Sequence, residues 1–106
     1  MWPAVDNGNH INWANARSYC QSYKGGNHTD WRMPTLEELN SLYDQRAVNK
    51  GGYHINPLIS TTSESCWAIE TRGDEAARFN FRYGQRHWLR QSHSGAGRAL
   101  PVRGGN

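Results

Sequence analysis

The sequence has few of the residues that usually fill a hydrophobic core. Only 15 of its 106 residues are Leu, Ile, Val or Phe, and so small a share accompanies disorder when the net charge is large. Here the net charge is only +3, and five Trp and five Tyr replace part of the missing aliphatic volume. We therefore expect a single folded domain over residues 1–106, because a second core would need roughly 50 further residues.

Long apolar runs and recognisable catalytic motifs are also missing. No stretch approaches the ~18 apolar residues of a membrane-spanning helix, so membrane insertion is not expected. The five His residues lack the spacing of zinc ligands, and neither Cys forms a nucleophile motif with them. We expect a protein that is not an enzyme and that holds no metal and no cofactor.

Acidic residues are absent from the last third of the chain. Residues 76–106 carry six Arg and neither Asp nor Glu, whereas residues 1–75 carry nine acids against six bases. Arginine pairs with carboxylate, sulfate or phosphate through two parallel hydrogen bonds. The pattern indicates either a solvated Arg-rich surface or a site for an anionic ligand. Nucleic acid is not expected as a partner, because no nucleic-acid-binding motif accompanies the charge.

Local signals predict two helices followed by short strands. Asn12 is a suitable N-cap for a helix over residues 13–23. Thr35 and Glu38 form a capping-box pattern, which predicts a second helix ending near Arg46. Strands are predicted at residues 67–70, 77–82 and 99–103, with turns at residues 71–74 and 83–85. We expect an α+β domain whose two helices pack on a small antiparallel sheet.

The second predicted strand defines a candidate ligand surface. Side chains alternate along a strand, so Phe79 and Phe81 share one face while Arg78 and Arg82 share the other. If the phenylalanines face the core, these arginines face outward, and the turn at residues 83–85 brings the following residues near them. Tyr83 and Trp88 offer flat rings for stacking on a sugar. The predicted ligand-binding residues are Arg78, Arg82, Tyr83, Arg86, Trp88 and Arg90.

Several motifs resemble those of one family. The segment Asn-Trp-Ala-Asn-Ala-Arg-Ser-Tyr-Cys ends at Cys20, Asp-Trp-Arg-Met-Pro-Thr-Leu-Glu-Glu-Leu covers residues 30–39, and Leu-Pro-Val-Arg-Gly-Gly covers residues 100–105. Together they resemble the Lcl C-terminal domain, named after a bacterial collagen-like adhesin, over essentially the whole chain. The resemblance implies a C-type-lectin-like α+β fold on secreted or cell-surface bacterial proteins. It also implies that the chain is a fragment of a longer exported protein.

The resemblance leaves three functions open. The founding member binds sulfated glycosaminoglycans as an adhesin, which implies a non-catalytic binding module for an anionic glycan or a protein surface ligand. A second alternative is a structural subunit that assembles as a homo-oligomer, filament or particle. A third is a variable display protein of a diversity-generating retroelement. The lectin calcium motifs Glu-Pro-Asn and Trp-Asn-Asp do not occur here, so we expect no calcium site.

The two cysteines also have two interpretations. An extracytoplasmic location, as the resemblance implies, favours a disulfide between Cys20 and Cys66. Many members of the family instead pair the helix cysteine with one in the final strand, where this sequence has Pro101. The alternative to a Cys20–Cys66 disulfide is a pair of free buried thiols.

Overall fold

The structure is a computed structural model that describes residues 1–49 and 51–104. It contains two α-helices, α1 (Trp13–Ser22) and α2 (Leu36–Leu42). Four strands follow: β1 (Ser65–Arg72), β2 (Glu75–Asn80), β3 (Gln85–Arg90) and β4 (Gly97–Arg98). The expected α+β architecture is therefore confirmed.

The strands form one sheet in the order β3-β2-β1-β4. β1 pairs with β2, and β2 with β3, in antiparallel fashion, but β4 runs parallel to β1. The expected purely antiparallel sheet is thus wrong. The chain leaves β3 at one edge, and residues 91–96 carry it across to the far side of β1. β3 runs in the same direction as β1, and after this crossing the chain enters β4 in that direction again.

Two points of the predicted strand pattern also need correction: one strand was missed, and the closing strand lies elsewhere. β1 and β2 lie where they were predicted, with shifted ends. β3 was not predicted as a strand, because its burial is low and its sequence, Gln-Arg-His-Trp-Leu-Arg, has little apolar alternation. The predicted closing strand at residues 99–103 is instead the short β4 followed by an isolated bridge between Arg32 and Val102.

Helix α1 begins as the sequence predicted. The side chain of Asn12 accepts a hydrogen bond from the Asn15 amide at 3.0 Å, which satisfies one of the free N–H groups of the first turn. Ala16 and Cys20 form its buried face. The helix ends at Ser22, and the ring of the next residue, Tyr23, packs edge-on against Trp31 with 4.9 Å between ring centroids.

The capping box of α2 is confirmed. Thr35 Oγ1 accepts from the Glu38 amide at 3.1 Å, and Glu38 Oε1 accepts from the Thr35 amide at 2.9 Å. The helix ends at Leu42 rather than near Arg46, because the backbone then turns to extended pairing. Tyr43 forms a bridge with Ile55, so the residues after Leu42 find hydrogen bonds outside a helix.

Both faces of the sheet are covered. On one face, Cys66, Phe79 and Phe81 pack with Leu39 of α2. On the other face, Trp67 packs with the buried side of α1. Among the predicted core residues, Trp31, Leu39, Trp67, Phe79 and Phe81 are buried, while Trp13 and Leu42 are half-buried. Neither described helix is long and apolar enough to cross a membrane.

The Asp-Trp-Arg segment before α2 is tied both to α2 and to the C-terminal segment of the chain. Arg32 forms a two-toothed ion pair with Glu38, with N–O distances of 2.7 and 2.6 Å. Asp30 pairs with Arg103 at 2.7 Å. Trp31 lies in the core between them, 5% exposed. These contacts support a structural role for the segment.

The Arg32–Glu38 pair generates a pH-dependent prediction. The hydrogen bonds from Arg32 lower the pKa of the Glu38 carboxyl from 4.5 to about 2. A lowered folded-state pKa stabilises the protein above the unfolded value, and this contribution is lost as pH falls from about 4.5 to about 2. We expect Glu38→Gln to lower the free energy of unfolding by about 1 kcal/mol at pH 7, since Arg32 is partly exposed and the pair is screened.

Urea unfolding at pH 7 and at pH 2.5 provides the measurement. The difference between wild type and Glu38→Gln should shrink at the lower pH, because Glu38 is then protonated in the unfolded protein and most of the stabilisation has been lost. Glu37→Gln is the matched control, since Glu37 is exposed in the same helical turn. An equal loss of stability at both pH values would contradict the ion-pair explanation.

Candidate functional site

Arg78 does not face solvent, contrary to the prediction. The alternation itself is confirmed, because Arg78 lies on the face of β2 opposite Phe79. That face is also covered, so Arg78 is only 3% exposed. The inference failed because it assumed a sheet with one buried face, whereas β1 and β2 are buried on both faces.

The Arg78 guanidinium is held by a ring and two carbonyl groups. It lies over the ring of Trp67, 4.0 Å from the centroid. Its Nη1 donates to Gly95 O at 2.7 Å and its Nη2 to His93 O at 3.0 Å, while its Nε has no hydrogen-bond partner. Burial lowers the pKa of Arg78 to about 10, so the side chain remains charged at neutral pH. Within the described residues it has no carboxylate partner.

Gly97 is part of the same arrangement. A Cβ at position 97 would lie 2.7 Å from Arg78 Nη2 and 2.7 Å from Trp67 Nε1, which is closer than real Cβ contacts. Only glycine therefore fits beneath the guanidinium without displacing it. Sequence reasoning missed this role, because the approach of Gly97 to Arg78 depends on the parallel pairing of β4 with β1.

The exposed arginines lie on the opposite face of β3. By strand alternation, Arg86, Trp88 and Arg90 share the face that carries Ala77 and Phe79 of β2. Arg86 and Arg90 are exposed, and neither forms an ion pair with another described residue. The guanidinium of Arg72 covers the Trp88 ring at 4.5 Å. We call Arg72, Arg86, Trp88 and Arg90 the arginine strip.

Arg82 and Tyr83 lie in the turn between β2 and β3. Tyr83 is 59% exposed, and Arg82 lies 5.4 Å from its ring centroid. Arg82 also approaches Glu64 at 3.9 Å. The structure thus places the six predicted residues in three settings: Arg78 is buried on one face, Arg82 and Tyr83 lie at the turn, and Arg86, Trp88 and Arg90 lie on the other face.

The remaining two arginines of the last third are engaged in packing. Arg98 is 7% exposed and donates from Nε to Thr62 Oγ1 at 2.7 Å. Arg103 is held by Asp30. Part of the positive charge of this segment is therefore buried or paired. Of its six arginines, only Arg82, Arg86 and Arg90 expose their charge.

A groove opens on the Arg78 face of the sheet. It has a volume of about 430 Å³ and is open to solvent. Its lining combines polar side chains from β2 with β3 and the segment after it. The lining residues are Glu64, Ser65, Arg78, Asn80, His87, Trp88, Leu89, His93, Gly95 and Ala96. Sequence reasoning did not identify this groove, because its walls come from four separate parts of the chain.

No metal centre is apparent in the part of the chain that the structure describes. Within residues 1–49 and 51–104, no three His, Cys, Asp or Glu side chains cluster closely enough to hold a metal ion.

The groove offers hydrogen-bond donors and one buried positive charge. Its chemistry suits the binding of an anion.

The expected Cys20–Cys66 disulfide is not formed in the structure. Both cysteines are buried free thiols. Cys20 packs with Trp67 on one face of the sheet, whereas Cys66, the preceding residue of β1, faces the opposite side. Burial raises the pKa of Cys20 to about 12 and also raises the pKa of Cys66. The two thiols are therefore separated by the sheet and poorly reactive.

Comparison with protein families agrees with the sequence resemblance. The family model of the Lcl C-terminal domain matches residues 1–103. The chain belongs to this family. Membership assigns no ligand or activity. No curated protein matches the sequence.

The placement of the cysteines generates a second prediction. Both thiols should resist iodoacetamide in the folded protein, because burial suppresses the thiolate that reacts. Both should react in urea without prior reduction. Intact-mass measurement after each treatment gives the result. A protein that takes up no label in urea until a reductant is added would contain the disulfide and contradict the structure.

Proposed function

We propose that this domain is a non-catalytic extracellular binding module that attaches to anionic glycans. The proposal is based on the arginine strip. Two exposed guanidinium groups, those of Arg86 and Arg90, flank Trp88 on the outer strand of the sheet, and neither forms an ion pair with another described residue. An anionic polymer lying along β3 would meet them in succession.

The spacing of the strip supports a linear ligand. A strand rises about 3.3 Å per residue, so the backbones of Arg86 and Arg90 lie roughly 13 Å apart. Two such charges suit a chain that carries an anionic group every few sugar rings. Arginine is also the side chain that best matches sulfate and carboxylate geometry.

The two aromatic residues of the predicted site, Trp88 and Tyr83, have different roles in the proposal. Trp88 is half-buried and one face of its ring is covered by Arg72, so its role is to hold that guanidinium through a cation–π contact. Tyr83 is the aromatic side chain available to stack on a sugar. Arg82 beside it would contribute to attraction of the anion.

The proposal also includes the location of the protein and its fold family. A secreted or cell-surface location and a C-type-lectin-like fold are supported by membership in the Lcl C-terminal domain family. Catalysis is not part of the proposal, because both thiols are buried with raised pKa values. They are therefore poor nucleophiles at neutral pH.

The alternative is an assembly role, and one observation favours it. β3 is an edge strand of the sheet, and an edge strand leaves one side of its backbone free to pair with another chain. A second copy would bring Arg86 and Arg90 against like charges, which opposes pairing between identical strands. A protein surface ligand with acidic side chains would suit the same edge better.

Salt-dependent retention on a heparin column tests the proposal. We expect the wild type to bind at low salt and to be eluted by added salt, because exposed charges are screened over about 10 Å at 0.1 M. Arg86→Ala/Arg90→Ala should elute at clearly lower salt, because it lacks the two charges of the strip. Arg46→Ala/Arg17→Ala is the matched control, since it removes two exposed positive charges outside the strip.

Two outcomes would contradict the proposal. No retention of the wild type at low salt would reject binding of anionic glycans through the arginine strip. Equal losses for the strip variant and the control would mean that net charge alone causes retention. Gel filtration of the same samples tests the assembly alternative, which predicts a species larger than the 12.1 kDa monomer.

A further inference from the structure

The groove holds a positive charge that nothing in the described chain neutralises. Arg78 is surrounded by the Trp67 ring and the carbonyl groups of His93 and Gly95. These groups carry only partial negative charge. A buried ion without a counter-ion is unfavourable. An anion that enters the groove would therefore offset the free-energy cost of burying the Arg78 charge.

The other groups of the groove supply hydrogen-bond donors. Asn80 uses its Oδ1 to accept from the backbone amides of Arg82 and Tyr83, at 2.8 and 3.0 Å. Its Nδ2 is therefore the end of the side chain left to donate into the groove. Ser65, His87 and His93, which also carry hydrogen-bonding side chains, line the same space. These donors match the oxygens of an anionic group and neighbouring sugar hydroxyls.

The charge of the groove limits the ligand to one negative charge. Among the described residues that line the groove, Arg78 is the only arginine or lysine, and Glu64 opposes a second negative charge. Glu64 is itself close to Arg82, and its oxygens are suited to accept from hydroxyl groups. The volume of about 430 Å³ lies in the range of small-molecule sites and accommodates a single sugar ring.

We propose that this groove binds one mono-anionic sugar unit, through a carboxylate or sulfate-ester group attracted by Arg78 and bonded by Asn80. The proposal rests on the glycan-binding function above but concerns the other face of the sheet. The arginine strip would attract an anionic polymer with little selectivity. The groove would select a particular unit of that polymer, because its donors are held in fixed positions by the sheet.

Asn80→Asp is a sharp variant for this proposal. The Asp carboxylate keeps the acceptor for the Arg82 and Tyr83 amides, so the turn is preserved, but it places a negative charge in the groove. Asn56→Asp is the matched control. Asn56 accepts from the amide two residues later in the same way, and it is exposed and lies outside the groove.

Calorimetric titration of the whole 106-residue protein with glucuronate, glucose 6-sulfate and glucose gives the result. We expect at least one acid to bind at least about tenfold more tightly than glucose. Asn80→Asp should weaken that binding at least about tenfold, since two like charges within a few ångström repel strongly. Asn56→Asp should leave it within about twofold of wild type. The acid that binds more tightly identifies the group.

Three outcomes would overturn the proposal: neither acid binds, glucose binds as tightly as the acids, or both Asp variants weaken binding equally. The heparin column separates this failure from that of the proposed function. Retention through the arginine strip without binding of either acid rejects the groove alone. Binding of an acid without retention on heparin rejects the strip and leaves the groove.

Discussion

The burial of β1 and β2 on both faces is the constraint on which the rest of the molecule depends. Leu39 of α2 packs against one face and α1 against the other. A strand in this position needs apolar side chains at consecutive residues, as in the run of Cys66, Trp67 and Ala68. Arg78 is the charged residue among the buried side chains of these strands, beside the neutral polar Ser65 and Asn80. Its charge is accommodated by the Trp67 ring and by backbone carbonyls that cross above it.

This buried arginine links the fold to the candidate site. The residues that cross the sheet after β3 are held to Arg78 through the carbonyls of His93 and Gly95. The same crossing segment forms one wall of the groove and delivers the chain to β4. The groove is therefore a consequence of how the last strand reaches its place, and Gly97 is required there for close packing.

Local signals predicted much of the fold, and long-range packing decided the remainder. The caps at Asn12 and Thr35 were read correctly because capping depends on neighbouring residues. The alternation of Phe79 with Arg78 was also correct. Whether the arginine face is exposed depends on residues 91–97, which are distant from β2 in sequence. Dependence on residues distant in sequence also explains why β3 and the groove were missed. It explains the wrong expectation of a Cys20–Cys66 bridge as well, because neighbouring strands and helices decide which side of the sheet each side chain faces.

The central claim is that the Arg78 charge receives an anion in the groove, and its Nε–H group reports on this most directly. In a ¹⁵N NMR titration with the acid sugar that binds, the account predicts a progressive shift of the Arg78 Nε–H signal. The signal of Arg98, which is already bonded to Thr62, should stay in place. Shifts confined to Arg86 and Arg90, with Arg78 unmoved at saturation, would contradict the account.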